Sequence, residues 1–122
     1  MANIEAQNNT ERTLLAYKEG LGQFAQTLPN IGDTYMEFTA ACFAEGAVSV
    51  KHKHLTALGI SLCLQDRICT FYHAKGALEN GASHAELMET VGVCAALSGG
   101  AALSQGVTWV QQALLDLKSA QH

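Results

Sequence analysis

Hydrophobic residues recur along this chain every three to four positions, which is the spacing of helices with one buried face, and strand-like alternation is absent. Residues that cap or interrupt helices separate these stretches into about six segments. The pattern therefore predicts an all-α fold, a compact bundle of about six helices.

In the first half of the chain, the predicted boundaries depend on capping and helix-breaking residues. A polar segment at 1–9 precedes the first helix, for which Thr10 is the predicted N-cap. That helix is expected to end at Leu28-Pro29-Asn30, because the residue before a proline disfavours helical geometry. Asp33 is the predicted N-cap of the second helix, and the third helix begins near Lys51 and runs through Cys63.

In the second half, a helix is predicted to end at Asn80-Gly81. Ser83 and Glu86 then have the S-x-x-E spacing of a capping box, in which each side chain accepts a hydrogen bond from a free amide of the new helix. This fifth helix runs to the Gly99-Gly100 break, after which a final helix continues to about Lys118.

The composition excludes several classes of protein. With 122 residues, 48% of them hydrophobic, the chain is expected to form one domain spanning residues 1–122. Its formal net charge of -4 leaves no basic stripe to replace the counterions of a nucleic acid, so no nucleic-acid partner is predicted. The short basic run at 51–54 is expected to be a solvated helix start. Four cysteines without an apolar signal region indicate a reducing, cytoplasmic location and no structural disulfides.

The segment from Thr90 to Leu115 carries no charged residue. Its polar residues and the Gly99-Gly100 break leave neither half with the ~20 apolar residues of a membrane span, so no membrane partner is predicted. Two uncharged helices are expected to be buried, either under their own chain or, as we expect, against another copy in a homo-oligomer. Cys42 and Cys94 lie beside alanines in apolar stretches and are predicted to pack in the core.

An aspartate, a cysteine and a histidine at the start of the fourth helix form the candidate reactive site. Asp66 is the predicted N-cap, which leaves Cys69 at position N3 and puts His73 on the same face one turn later. The imidazole and the positive helix end favour the thiolate, whereas the Asp66 carboxylate disfavours it, and the outcome depends on where that carboxylate points. Cys-x-x-x-His is also the pattern of a helix with an ordinary buried cysteine.

Between about residues 51 and 115, the pattern HLTALGISL…CTFYHAKGALENGASHAELMETVGV…LSGGAAL resembles the carboxymuconolactone decarboxylase family, specifically its alkylhydroperoxidase D-like branch. The resemblance implies an all-helical fold that assembles as trimers or hexamers. The motif of that branch is E-x11-C-x-x-C-x-x-x-H, in which the second cysteine attacks a peroxide, the first resolves the sulfenate, and the glutamate and histidine relay protons. Cys69 and His73 match this motif, whereas Asp66 stands at the first cysteine and His54 at the glutamate.

The resemblance thus implies a thiol-dependent, peroxidase-like antioxidant enzyme acting on a small molecule, with Cys69 as nucleophile, His73 as base, and His54 with Asp66 as relay. Its sulfenate would be resolved by Cys63 if the chain bends before Asp66, or otherwise by an external thiol reductant. The alternatives are a histidine-assisted decarboxylase acting on a small lactone or organic acid, and a non-catalytic oligomeric scaffold or ligand-binding protein. The four site residues could also ligate zinc, but the spacing does not demand it, so neither a metal nor a cofactor is predicted.

Overall fold

The computed structural model describes the backbone of residues 8–120 and the side chains of residues 8–117. The elements are α1 (Asn9–Thr27), α2 (Pro29–Cys42), α3 (Val50–Cys63), α4 (Arg67–Glu79), α5 (His84–Ser98), α6 (Gly100–Gln105), a π-helical turn (Gly106–Val110) and α7 (Gln111–Ala120). Because α6, the π turn and α7 follow one another without a gap, they form one long C-terminal helical unit. The described part of the chain contains no strand, and the predicted all-α fold of about six helices is confirmed.

The start of α1 differs from the prediction. The N-cap is Asn8, whose side chain accepts a hydrogen bond from the backbone N–H of Glu11 at 2.9 Å. Thr10 is instead fully buried, and its hydroxyl donates to Asp116 Oδ2 at 2.7 Å. The predicted Thr10 cap is therefore wrong, because a partner on α7 holds that hydroxyl. Of the polar segment predicted at 1–9, residues 1–7 lie outside the described range, and Asn9 already belongs to the helix.

The start of α2 also differs from the prediction. Helix α1 ends before Pro29 as expected, but α2 begins at that proline and not after Asp33, which is exposed within the helix. Proline suits the first helical position because its missing N–H would have no helical partner there. Gly32 then lies against α1, where a Cβ would come within 2.7 Å of Ala25 Cα. A close helix crossing therefore fixes the α1–α2 hairpin.

The boundaries around α4 are confirmed. The chain leaves α3 through Gln65, which has a left-handed φ of 58°, and Asp66 is the N-cap of α4. At the other end, Gly81 has a φ of 93°, and both hydrogen bonds of the Ser83–Glu86 capping box are present. These turns set the direction of α4 between α3 and α5.

The core lies between α3, α4, α5 and the C-terminal helical unit. Its largest fully buried apolar side chains are Leu58, Leu62, Phe71, Leu87, Val91 and Val110. Cys94 belongs to this core, as predicted, whereas Cys42 is exposed near the end of α2, so its predicted core position is wrong. The reason is that α2 packs chiefly on α1 and presents much of its apolar surface to solvent.

Two groups of apolar side chains stay exposed. In the uncharged segment, Val93, Leu97, Leu103 and Leu115 are 62%, 87%, 45% and 68% exposed, so the described part of the chain leaves these side chains uncovered. On α2, the exposed side chains are Ile31, Tyr35, Met36 and Phe38. Among the described residues, no helix combines the length and the apolar character that crossing a bilayer requires.

Candidate functional site

The N-terminus of α4 determines the state of the Cys69 thiol. Asp66 Oδ1 accepts the backbone N–H of Cys69 at 3.0 Å. The carboxylate therefore points at the cysteine, which answers the question that the sequence left open. Burial, and then the hydrogen bond and negative charge of Asp66, raise the pKa of Cys69 to about 11. The thiol is thus held in its protonated form.

A pair of histidines lies beside this thiol. His54, near the start of α3, and His73, on α4, bring their Nδ1 atoms within 3.1 Å of each other. One ring must carry its proton on Nδ1 and donate, while the other must be the opposite tautomer and accept. Burial, and then the charge of His54, lower the pKa of His73 to about 4, although Asp66 opposes this shift. Burial also lowers the pKa of His54, so both imidazoles are neutral at neutral pH.

Two residues that sequence reasoning missed hold the histidine pair. Gly76 on α4 lies directly under the His54 ring, where any Cβ would overlap with the imidazole. Phe43, which follows α2, stacks on His73 with ring centroids 5.2 Å apart and planes 9° apart, and lies 4.8 Å from the His54 ring. The phenyl ring shields both imidazoles from water. Neither role has a local sequence signal, because both depend on contacts between helices.

Two tyrosines connect this site to an apolar cavity. The Tyr72 ring meets His73 edge to face at 5.1 Å, and Tyr17 meets Tyr72 in the same way at 5.9 Å. Tyr17 also lines a cavity of about 400 Å³ between α1 and α2, whose other walls are Leu21, Phe24, Ile31, Gly32, Tyr35 and Met36. None of these lining residues is charged. Burial is the main cause that raises the pKa of Tyr17, and Tyr35, Cys69, Tyr72 and Asp66 add to it in that order.

The remaining cysteine considered as a partner of Cys69 faces elsewhere. Cys63 is a free thiol whose Sγ lies 3.1 Å from Ser98 Oγ on α5, although the chain bends before Asp66 as expected. The structure thus brings His54, His73, Cys69 and Asp66 to one region and directs Cys63 away from it. Within residues 8–117, no group of three or more histidine, cysteine or acidic side chains converges as a metal site would require.

The fold and the site together define an all-helical protein with a half-buried imidazole pair and a protonated thiol between α3 and α4. The family model of the carboxymuconolactone decarboxylases matches residues 29–112. The chain belongs to the carboxymuconolactone decarboxylase family.

Three individual proteins resemble the chain. A family member from Legionella pneumophila superposes with a TM-score of 0.78 at 22% identity, over 90% of this chain and 95% of that one. A structure from Burkholderia xenovorans LB400, described as belonging with the carboxymuconolactone decarboxylases, has a TM-score of 0.75 at 21% identity, over 96% and 97% of the two chains. The "Uncharacterized protein 4 in cox locus" of Paracoccus denitrificans is 32% identical over 82 residues, which are 67% of this chain and 74% of that protein. The two structures confirm the predicted family fold.

Proposed function

We propose that this protein is an enzyme in which the His54–His73 pair relays protons to a small organic substrate. The observation that carries the proposal is the 3.1 Å contact between the two Nδ1 atoms. A proton that arrives at the outer nitrogen of one ring can push the shared proton to the other ring, which releases its own outer proton. Neither ring needs a lasting charge for this transfer, which suits imidazoles whose pKa values burial has lowered.

The family name suggests the reaction that such a relay would serve. Loss of CO2 from a carboxylated lactone breaks a carbon–carbon bond and leaves the electron pair on carbon, where a proton must then be added. The apolar cavity beside Tyr17 has room for a small ring, and its uncharged walls fit the hydrocarbon part of such a substrate. Arg67 is the cationic residue nearest to Cys69 in the sequence. Its guanidinium carbon lies 4.8 Å from the centroid of the Phe71 ring.

A thiol-dependent peroxidase is the second candidate function. It is favoured by the position of Cys69, which is partly accessible at position N3 of α4 and one turn before His73. Against it, the pKa values of about 11 for Cys69 and about 4 for His73 differ by about seven pH units. Proton transfer from thiol to imidazole then has an equilibrium constant on the order of 10⁻⁷, before the attraction between the two charges is counted. A thiol cycle would also require an external reductant, since Cys63 faces α5.

Two activity assays on matched variants separate these candidates. Loss of CO2 from carboxymuconolactone and consumption of cumene hydroperoxide with dithiothreitol are measured for the wild type and for His54→Asn, His73→Asn and Cys69→Ser. Asparagine places an amide near the former Nδ1 position but cannot take up and release a proton. The proposal expects CO2 release that both asparagine variants lose and Cys69→Ser keeps.

Hydroperoxide consumption that disappears in Cys69→Ser would favour the peroxidase instead. Turnover of neither compound, in folded wild-type protein, would overturn both and leave a scaffold or ligand-binding protein. Circular dichroism of each variant confirms that a loss of activity does not come from unfolding.

We also propose that the protein works as a homo-oligomer, a trimer or hexamer, in the cytoplasm. The support is the exposed apolar surface, which includes Phe38 at 64% and Leu97 at 87% exposure, together with four free thiols that suit a reducing compartment. Light scattering on the purified protein measures the molecular mass directly, and a mass near 13 kDa would refute the oligomer.

A further inference from the structure

A second pair of cysteines lies where α3 meets α5. Cys63 is the last residue of α3, and its Sγ lies 3.1 Å from Ser98 Oγ. One turn earlier on each helix, Cys94 directs its Sγ to the backbone oxygen of Gly59 at 3.5 Å. His54 is nine residues before Cys63, about 13 Å along the helix axis. This thiol pair is therefore separate from the histidine site.

Gly59 and Ser98 bring the two thiols together. A Cβ on Gly59 would lie only 3.2 Å from Cys94 Sγ, so the missing side chain gives room for the sulfur of Cys94 against α3. The Ser98 hydroxyl donates its proton to the carbonyl of Cys94 at 2.7 Å, which leaves the oxygen free to accept from Cys63. The hydroxyl thus holds the Cys63 thiol over the turn that carries Cys94.

The two thiols differ in accessibility. Cys63 is exposed, whereas Cys94 is only 7% exposed and belongs to the core. Burial, and then the neighbouring Cys63 thiol, raise the pKa of Cys94 to about 11. An oxidant from solution therefore meets Cys63 first, and Cys94 is the nearby thiol that can react with the product.

We propose that Cys63 and Cys94 form a redox-active pair that a hydroperoxide converts into a disulfide between α3 and α5. In the first step the Cys63 thiolate attacks the peroxide oxygen, the O–O bond breaks, and the alcohol leaves after taking up a proton, so that Cys63 becomes a sulfenic acid. In the second step the Cys94 sulfur attacks the Cys63 sulfur, the S–O bond breaks, and water leaves. Each peroxide takes two electrons from the thiol pair, and an external dithiol returns them by exchange.

The local structure permits the bond to form. Cys63 is the C-terminal residue of α3, and Gln65 in left-handed geometry lies two residues later, so this end of the helix can shift without disturbing its interior. When the Cys63–Ser98 contact is replaced by a sulfur–sulfur bond, the Ser98 hydroxyl keeps its hydrogen bond to the backbone carbonyl of Cys94. A disulfide requires its Cβ atoms to come within about 3.5–4.5 Å. Both thiols lie at the α3–α5 crossing, Cys63 against Ser98 and Cys94 against Gly59, one helical turn apart.

Peptide mass spectrometry tests the proposal on the intact protein, because trypsin separates the four cysteines. Cleavage after lysine and arginine puts Cys42 in 19–51, Cys63 in 54–67, Cys69 in 68–75 and Cys94 in 76–118. The native protein is treated with one equivalent of cumene hydroperoxide, free thiols are blocked with iodoacetamide, and the digest is searched for linked peptides. The expected product joins 54–67 to 76–118, and dithiothreitol separates it.

Three variants serve as controls. Cys63→Ser, at an exposed position, must abolish the linked peptide, whereas Cys69→Ser and Cys42→Ser must leave its yield unchanged. A link from 54–67 to 68–75 would overturn the proposal and make Cys63 the resolving partner of Cys69. Over-oxidised Cys63 with fully alkylated Cys94 would also overturn it. Because the His54→Asn variant should still form the link, failure of the proposed relay does not affect this result.

Discussion

The protonated state of Cys69 gives a sharp prediction for thiol reactivity. With a pKa of about 11, the thiolate fraction at pH 7 is on the order of 10⁻⁴, compared with about 10⁻² for the reference value of 9.0. Because only the thiolate reacts with iodoacetamide, Cys69 is expected to be alkylated about 100 times more slowly than an unperturbed thiol of equal accessibility. The tryptic peptides allow its rate to be measured in the same sample as that of exposed Cys42.

The pH dependence separates ionisation from simple burial of the sulfur. For a thiol with a pKa near 11, the alkylation rate rises about tenfold per pH unit from pH 6 to pH 10, whereas the rate of a thiol with the reference pKa of 9.0 is half-maximal at pH 9 and levels off above it. Restricted access of iodoacetamide to the sulfur lowers the alkylation rate at every pH, but it does not move the inflection of the plot of rate against pH. A plateau for Cys69 below pH 8, or a rate at pH 7 that equals the rate of Cys42, would refute the argument and strengthen the peroxidase.

Asp66→Asn isolates the contribution of the carboxylate. Asparagine keeps a side-chain oxygen for the Cys69 N–H and remains a good N-cap, but it removes the charge that opposes the thiolate. Alkylation of Cys69 at pH 7 should accelerate, by less than about 100-fold because burial, the largest cause of the raised pKa, is unchanged. Asp33→Asn, the same chemical change at an exposed position on α2, should leave the rate unaltered.

Three further predictions concern stability, measured by urea unfolding. Gly76→Ala pushes a methyl group into the His54 imidazole and should lower the free energy of unfolding by about 1–3 kcal/mol. Gly92→Ala, where a Cβ meets nothing within 4 Å, should raise that free energy by up to about 1 kcal/mol. Equal effects of the two substitutions would refute the close packing at Gly76. His73 binds its proton less readily in the folded state, where its pKa is about 4, than in the unfolded state, where it is 6.5. The contribution of this neutral histidine to the free energy of unfolding is therefore complete above pH 6.5 and is lost as the pH drops towards 4. Solvent screening reduces the full ~3.4 kcal/mol of this loss to about 1–2 kcal/mol, and His73→Phe should remove it. Asp116→Ala leaves the buried N–H and hydroxyl of Thr10 without their acceptor and should cost about 1–3 kcal/mol, while Asp116→Asn should cost less.

The parts of the fold that the sequence predicted are those with local causes. The S-x-x-E spacing predicted the capping box at Ser83, and Asp66 predicted the start of α4, because both depend on hydrogen bonds within one turn. The predicted Thr10 cap was wrong because its hydroxyl bonds to Asp116, 106 positions away. The local sequence pattern carries no information about so distant a partner. The predicted caps are therefore right where the hydrogen bonds stay within one turn, and wrong where the side chain bonds to a distant residue.

The candidate site divides in the same way. The one-turn spacing placed Cys69 and His73 on the same helix, which is a local property. The pKa of the thiol depended on the direction of one carboxylate, and the shielding of the imidazoles depends on Phe43, which follows α2. Gly76 lies on α4, but what it makes room for is His54 on α3. The chemistry of the site therefore required the three-dimensional arrangement.

The two departures from the resembled motif act in the same direction. At position 66, where the motif has another cysteine, a carboxylate raises the pKa of Cys69 and keeps the proton on its sulfur. At position 54, an imidazole lowers the pKa of His73, whereas a carboxylate there would raise it by favouring the imidazolium. Each change disfavours the thiolate–imidazolium pair, and together they leave a neutral thiol beside two neutral rings in hydrogen-bond contact. An arrangement of this kind suits proton relay better than nucleophilic attack by sulfur, which is why the proposal centres on His54 and His73.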